Sequence, residues 1–281
     1  MRTPHFNRML LPGLMAWLLA IISLPVQAQE NTTTLALEAS DPSFIKSRIL
    51  IDVESHIFHQ PARFYTARFG YFYALQNKRH QFGLSIPFVH NIFNLDLQGF
   101  ENTTGVGDIK MNYMGNLNTG HSLGLIKVAP YFEMTAPTGS YLLGRGAGTW
   151  LYKPGIILAY RLDPTISFYP ELRFQFSGSE ANSLGGIDGI PDPQDNEKDG
   201  KLQTLTLEVP AVVQLESIQA WFAIHALYAQ SFTDNEYFIF FRTDFGKMIS
   251  NNTSASLNLS KFVAGTPQLN VIVQARLQFF F

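Results

Sequence analysis

Three stretches of this chain alternate between apolar and polar residues with a period of two. In 165–178, Ile166, Phe168, Pro170, Leu172, Phe174 and Phe176 alternate with Ser167, Tyr169, Glu171, Arg173 and Gln175. In 124–136, Ile126, Val128, Pro130, Phe132 and Met134 alternate with Lys127, Ala129, Tyr131, Glu133 and Thr135. In the last stretch, Leu269, Val271, Val273, Ala275, Leu277, Phe279 and Phe281 share one face, and Asn270, Ile272, Gln274, Arg276, Gln278 and Phe280 share the other. Period two is the signature of a strand, whose successive side chains point to opposite faces. A half-buried strand of a soluble sheet alternates in the same way, so the pattern leaves open which solvent the apolar face meets.

The same reading along the chain predicts about twelve strands of membrane-spanning length. They lie near 44–57, 63–74, 80–90, 106–115, 122–135, 150–162, 165–177, 201–215, 218–230, 236–247, 253–260 and 268–281. The connections fall into two classes. A short set is 76–79, 116–120, 163–164, 216–217 and 247–252. A mostly longer set is 91–105, 136–149, 178–200, 231–235 and 262–267, with 59–62 a short exception. Short turns taking turns with long loops is what a membrane barrel requires, with the short set and both chain ends in the periplasm.

The N-terminus bears on the solvent question. Arg2, His5 and Arg8 precede an apolar run over 10–24, and Pro25-Val26-Gln27-Ala28 ends in a small-residue cleavage pattern. The expectation is a signal peptide over 1–28, cleaved after Ala28, and a mature domain over 29–281. No later apolar run approaches the roughly 20 residues of a membrane helix. Charged residues are 15% of the chain, against about a quarter in soluble proteins, and aromatics are 14%, with 24 Phe. The chain has no cysteine, which excludes disulfides, thiol nucleophiles and thiolate metal sites. A net charge of −2 argues against a nucleic-acid partner. The expected fold class is therefore all-β: a transmembrane antiparallel up-and-down β-barrel in the outer membrane of a Gram-negative bacterium. Its expected partners are outer-membrane lipid, the barrel assembly machinery and a small-molecule solute, with the protein a monomer.

Faces follow from the cost of charge in lipid, about 2–4 kcal/mol for Arg or Lys at the bilayer midplane. The predicted inward set is Arg48, Asp52, Glu54, Arg68, Asp108, Lys110, Lys127, Glu133, Lys153, Arg161, Glu171, Arg173, Glu208, Arg242, Asp244 and Arg276. Tyr71, Tyr73, Tyr152, Tyr160 and Tyr228 sit near predicted strand ends, where aromatic girdles belong. The terminal Phe281, with Phe279, resembles the signal by which outer-membrane proteins are recognised for assembly.

An ordered series of motifs carries a resemblance. "TGVGDIKMNY" (104–113), "PYFEMTAPTGS" (130–140) and "GRGAGTWLYKPGIILAYRL" (144–162) follow at close spacing. The chain resembles the outer-membrane family labelled "MetA-pathway of phenol degradation". That resemblance implies a transporter for aromatic or other small hydrophobic compounds. In these motifs Gly105, Gly107, Gly139, Gly144, Gly146 and Gly148 are expected to permit positive φ in tight loops. They would let the 136–149 loop fold into the barrel mouth, although an exposed loop is the plainer expectation.

A lumen of mixed sign does not select strongly for ions. It fits charges paired across a narrow interior, or a narrow pore for polar solutes. The leading expectation is a passive, narrow, substrate-selective channel. A structural or loop-binding barrel is the alternative, and a lipid-modifying enzyme the second. Tyr131, Tyr169 and Trp221, with Phe240 nearby, form a candidate aromatic path, against the plainer expectation that they fill space. In the polar loop 186–200, Asp195, Glu197 and Asp199 sit at alternate positions like the first half of a calcium loop, with Asp188 and Asp192 as further oxygen ligands, but its closing Glu is missing and a solvated acidic loop is the plainer expectation. No other cofactor is implied. An enzyme would need a base beside a nucleophile. His56, His59, His80, His90, His121 and His225 are the available bases, none in a recognisable motif.

Overall fold

The computed structural model describes residues 32–58, 62–93, 102–118, 123–178, 201–266 and 269–281. The predicted signal peptide over 1–28 lies outside them. One short helix, α1 (Thr32–Ser40), precedes fifteen strands. These are β1 (Arg48–Phe58), β2 (Ala62–Ala74), β3 (His80–Phe93), β4 (Thr103–Val106), β5 (Ile109–Gly115), β6 (Leu117–Asn118), β7 (Gly124–Ala136) and β8 (Leu151–Arg161). They continue with β9 (Ile166–Phe168), β10 (Glu171–Ser177), β11 (Gln203–Leu215), β12 (Ala220–Ser231), β13 (Glu236–Ser250), β14 (Thr253–Gly265) and β15 (Leu269–Phe280). β4 to β6 form one interrupted stave, and β9 with β10 another, so the wall has twelve staves.

The sheet closes on itself. β1 pairs with β15 in antiparallel register, Asp52 opposite Arg276, and with β2, Asp52 opposite Arg68. Closure follows from the solvent: lipid offers no partner to a free strand edge, so every edge must find another strand. Two interruptions are chemical. Pro170 has no N–H to give the ladder, but its carbonyl accepts from Leu158 and the neighbouring Tyr169 N–H donates to Pro210, so the stave holds through the break. Asp163 builds the β8–β9 turn: its Oδ1 accepts from the N–H groups of Thr165 and Ile166 and from the Thr165 hydroxyl. Those bonds hold the Asp163 carboxyl below its ordinary value.

The outer surface is a continuous apolar band. Val53, Phe69, Phe82, Phe88, Leu172, Leu207, Ile224, Phe241 and Val263 are among many large apolar side chains exposed on it. A patch of this extent all round a molecule is stable only in lipid. This is an outer-membrane β-barrel. Tyr71, Tyr73, Tyr160 and Tyr228 point outward, and Tyr71 stacks on the terminal Phe281 at 6.1 Å at the periplasmic end.

Four departures from the sequence pattern have physical causes. A register shift between Leu125 and Lys127 turns Ile126 inward, where it is buried, against the expected outward face. β13 and β14 run on to Ser250 and Gly265, leaving a two-residue turn at 251–252 where a six-residue one was expected. β1 begins at Arg48 rather than near 44, because 41–47 is a linker. That linker leads from α1, which the alternation did not predict.

Candidate functional site

The lumen divides along the barrel axis. Its periplasmic half holds α1. Ala36 of α1 is buried in a cluster with Ala129, Ala159, Val212, Trp221, Ala223 and Met248. These come from β7, β8, β11, β12 and β13 and all lie on inner faces, so α1 is seated inside the barrel. Polar contacts hold it there. Gln214 Nε2 donates to the Ser40 hydroxyl at 2.7 Å, and Lys127 Nζ donates to Asp41 at 2.5 Å. The Ser43 N–H and hydroxyl donate to the other Asp41 oxygen at 2.8 and 2.5 Å. Gln81 Nε2 binds the Lys46 carbonyl at 2.7 Å. Burial raises the Glu38 carboxyl above its usual range, with Lys46 and Lys127 pulling the other way.

Inward glycines shape this half. Tyr131 pairs in register with Gly155, and Trp221 with Gly246. A Cβ on Gly155 would fall 2.4 Å from the Tyr131 ring, and one on Gly246 would fall 2.0 Å from the Trp221 ring. Each ring therefore lies flat over a bare stretch of wall instead of projecting across the lumen.

The charges form a belt around the wall. Asp52 takes Arg68 at 3.2 Å and Arg276 at 3.9 Å, and Glu54 takes His56 and, at 3.8 Å, Arg68. Glu133 lies 3.6 Å from Lys110 and 3.3 Å from Lys153. Glu208 gathers Arg173, His225 and Arg242 at 2.8–3.1 Å, and Arg173 also reaches Glu171 at 3.2 Å. Between strands, these pairs join neighbouring or next-neighbouring staves. The expected pairing of opposite charges is present, but it runs along the wall and not across the lumen. Arg48 donates to the Phe44 carbonyl at 3.3 Å and lies over Phe72, and the Trp221 indole donates to Asp244 at 3.4 Å. Arg161 lies on the inner face of β8 near its periplasmic end.

The extracellular half holds a cavity of about 290 Å³. Its wall comes from β1, β2, β3, β5, β7, β8 and β10, and its lid is the 137–150 loop, through Gly144, Arg145, Gly146 and Ala147. The plainer expectation of an exposed loop is corrected in part: the loop packs inward through 144–147 while Leu142, Leu143 and Trp150 stay exposed. Asp108 accepts the Gly139 N–H at 2.8 Å and the Ala147 N–H at 2.7 Å. Asn91 donates to the Gly144 carbonyl at 2.7 Å, and Arg145 to the Thr104 carbonyl at 2.9 Å. The glycines serve two purposes. Gly105, Gly144 and Gly148 take positive φ, as expected, whereas Gly107, Gly139 and Gly146 do not and serve for space: a Cβ on Gly146 would lie 2.4 Å from Asp108 Oδ1, and one on Gly139 2.2 Å from the Arg145 carbonyl.

Of the predicted lumen set, Glu54, Arg68, Asp108, Lys110 and Lys153 line this cavity. Tyr131, Tyr169 and Trp221 are not among its lining residues: Tyr169 and Trp221 are buried in the apolar layer around α1, and Tyr131 packs against that layer and donates to Glu171 at 2.5 Å. Asp192, Asp195, Glu197 and Asp199 lie outside the described residues, as do His59 and His121. The four described histidines are each bonded: His56 to Glu54, His225 to Glu208, His80 to the Tyr113 hydroxyl and His90 to the Thr104 hydroxyl. Sequence reasoning missed α1 and the lid contacts of Asn91 and Arg145. The run Leu35-Ala36-Leu37-Glu38-Ala39, made of good helix formers, was the available signal for α1.

No family model matches the sequence, and no curated protein matches it, so the resemblance to the phenol-degradation family has no match behind it. Solved structures do match. The COG4313 outer membrane channel from Pseudomonas putida F1 superposes with a TM-score of 0.67 at 13% identity, over 85% of this chain and 98% of that one. The NanC porin gives 0.53 at 11% identity, over 84% and 99%. The translocator domain of the autotransporter NalP from Neisseria meningitidis gives 0.52 at 10%, over 89% and 93%. At these identities the likeness is one of fold, and the fold is the outer-membrane β-barrel.

Proposed function

We propose that this protein is a passive, narrow, substrate-selective channel for small molecules across the outer membrane. The observation that carries the reading is the cavity under the inward loop. Its charged lining sits inside a barrel whose outer surface is apolar, and charged groups on such a wall need water or a polar solute against them. α1 supports the same reading. It is no part of the wall, so it can leave the lumen without breaking any strand pairing. A barrel of twelve staves is wider than the eight-stranded kind that side chains alone fill. The solved structures that share the fold include a channel and a porin, but also an autotransporter translocator, so the shared fold does not choose between functions. Transport would run down a gradient. An enzymatic reading draws less from the site: His90 and Thr104 are simply opposite each other in the β3–β4 register, where such a pair bonds across strands.

The test is conductance of the refolded chain in a planar bilayer. Discrete steps that grow when α1 is removed are expected. A correctly folded barrel that stays sealed to ions and small solutes, with and without α1, would sink the channel reading in favour of a structural or loop-binding barrel.

A further inference from the structure

The cavity is not neutral and not uniformly polar. Four cationic side chains line it, Arg68, Lys110, Arg145 and Lys153, against two carboxylates, Glu54 and Asp108. Both carboxylates are committed. Asp108 spends its oxygens on the backbone N–H groups of the lid, and Glu54 is held by His56 and Arg68. Three nitrogens of lining residues are buried without a hydrogen-bond partner: His56 Nδ1, Arg68 Nε and Arg145 Nε. Lys153 meets Glu133 at 3.3 Å, longer than the ~2.7–2.9 Å of a tight charged hydrogen bond. Among the lining residues donors and positive charge are therefore in excess, with one unpartnered acceptor, Asn91 Oδ1, and with Glu133 behind Lys110 and Lys153. Apolar side chains share the lining, through Phe64, Pro87, Val89 and Leu151. Phe64 is fixed edge-on between Phe58 at 4.9 Å and Phe93 at 5.5 Å. A volume of about 290 Å³ is at the small end of ligand pockets.

We propose that this cavity is a binding subsite for a small monocarboxylic acid with an apolar body, the carboxylate toward Arg145 and Lys153 and the body against Phe64 and Val89. Its role in uptake rests on the channel reading, but binding itself does not need conduction. The lid residue Arg145 makes the site depend on the inward loop: a loop displaced outward takes one cation with it.

Calorimetry on the full folded chain in detergent tests the subsite with three probes of one shape: benzoate, benzyl alcohol and benzylammonium. Acetate tests the apolar wall. Benzoate is expected to bind, acetate at least tenfold more weakly, and benzyl alcohol and benzylammonium without detectable heat. Lys153→Gln and Arg145→Gln are each expected to weaken benzoate at least tenfold, with the folded barrel confirmed by its heat-dependent gel mobility. The probe series on the unaltered chain decides the matter even if a variant does not fold. Benzylammonium or benzyl alcohol binding as well as benzoate, or no benzoate binding at all, overturns the proposal. Bilayer conductance read in parallel separates the two readings: a sealed barrel that binds benzoate removes the channel and leaves the subsite, and a conducting barrel that ignores benzoate does the reverse.

Discussion

The two halves of this lumen are built from one wall by opposite means. On the periplasmic side a helix from outside the wall packs against small and aromatic inward residues, Ala129, Ala159 and Ala223 with Tyr169 and Trp221, and is bonded by the inward Lys127 and Gln214. On the extracellular side a loop from within the wall covers a chamber lined by charged residues and by Phe64, Pro87, Val89 and Leu151 without filling the space, and a second apolar cluster of Leu227, Phe238 and Phe240 is buried on the β12–β13 side. The first half is closed by a helix packed on that apolar layer and tied by Lys127 and Gln214, so opening it exposes apolar surface and breaks those bonds. The second is closed by a few hydrogen bonds to Asp108 and Asn91, which water can replace. A barrel can thus carry a dry gate and a hydrated chamber in series. The difference lies in which inward side chains stop short of the axis.

The comparison is broken most severely by deleting α1. Removing 32–43 should empty the periplasmic half and raise single-channel conductance several-fold, read in a planar bilayer; unchanged steps would mean that α1 does not limit flow. Next in size is Asp108→Ala. It strands two backbone N–H groups that now bond a charged acceptor, worth on the order of 1.5–3 kcal/mol each. The lid should loosen and become a site of protease cleavage within 137–150, while the wall stays intact. A smaller effect is expected of Gly155→Val. The added methyls push Tyr131 off the wall at an overpacking cost of about 1–3 kcal/mol, narrowing the lumen and lowering both conductance and thermal stability. The smallest is a pH effect at α1. Glu38 has a raised carboxyl in the seated state, so seating takes up a proton. That contribution is full below the ordinary carboxylate value and fades as the pH climbs through the raised one. Acidification should therefore reduce the open probability slightly, and Glu38→Gln should abolish that dependence.

The wall was legible because a barrel separates two solvents by one residue. Arg173 and Glu171 had to face away from Leu172 and Phe174, and they do. The failures occur where that rule does not operate. Ile126 is the extra residue of a bulge, and a bulge is a property of the pairing with β8, not of the run of residues. α1 meets the barrel's interior and no lipid, so alternation carries no information about it. The flat rings of Tyr131 and Trp221 depend on Gly155 and Gly246 in neighbouring strands, and the register that brings them together is not written in either segment alone. Asp108 was placed inward from its charge, but its partners Gly139 and Ala147 come from a loop whose path is set by Asn91 and Arg145.

Thiol accessibility tests the division of the lumen most directly, because the chain contains no cysteine and any introduced thiol is the sole target. Val89→Cys and Ala129→Cys each place one in the unaltered barrel, the first in the chamber and the second against α1. With a membrane-impermeant reagent added from the extracellular side, Val89→Cys should be labelled rapidly and Ala129→Cys should stay protected until α1 is deleted. Equal labelling of both in the presence of α1 would contradict a dry periplasmic half and, with it, the account of the lumen as a chamber behind a gate.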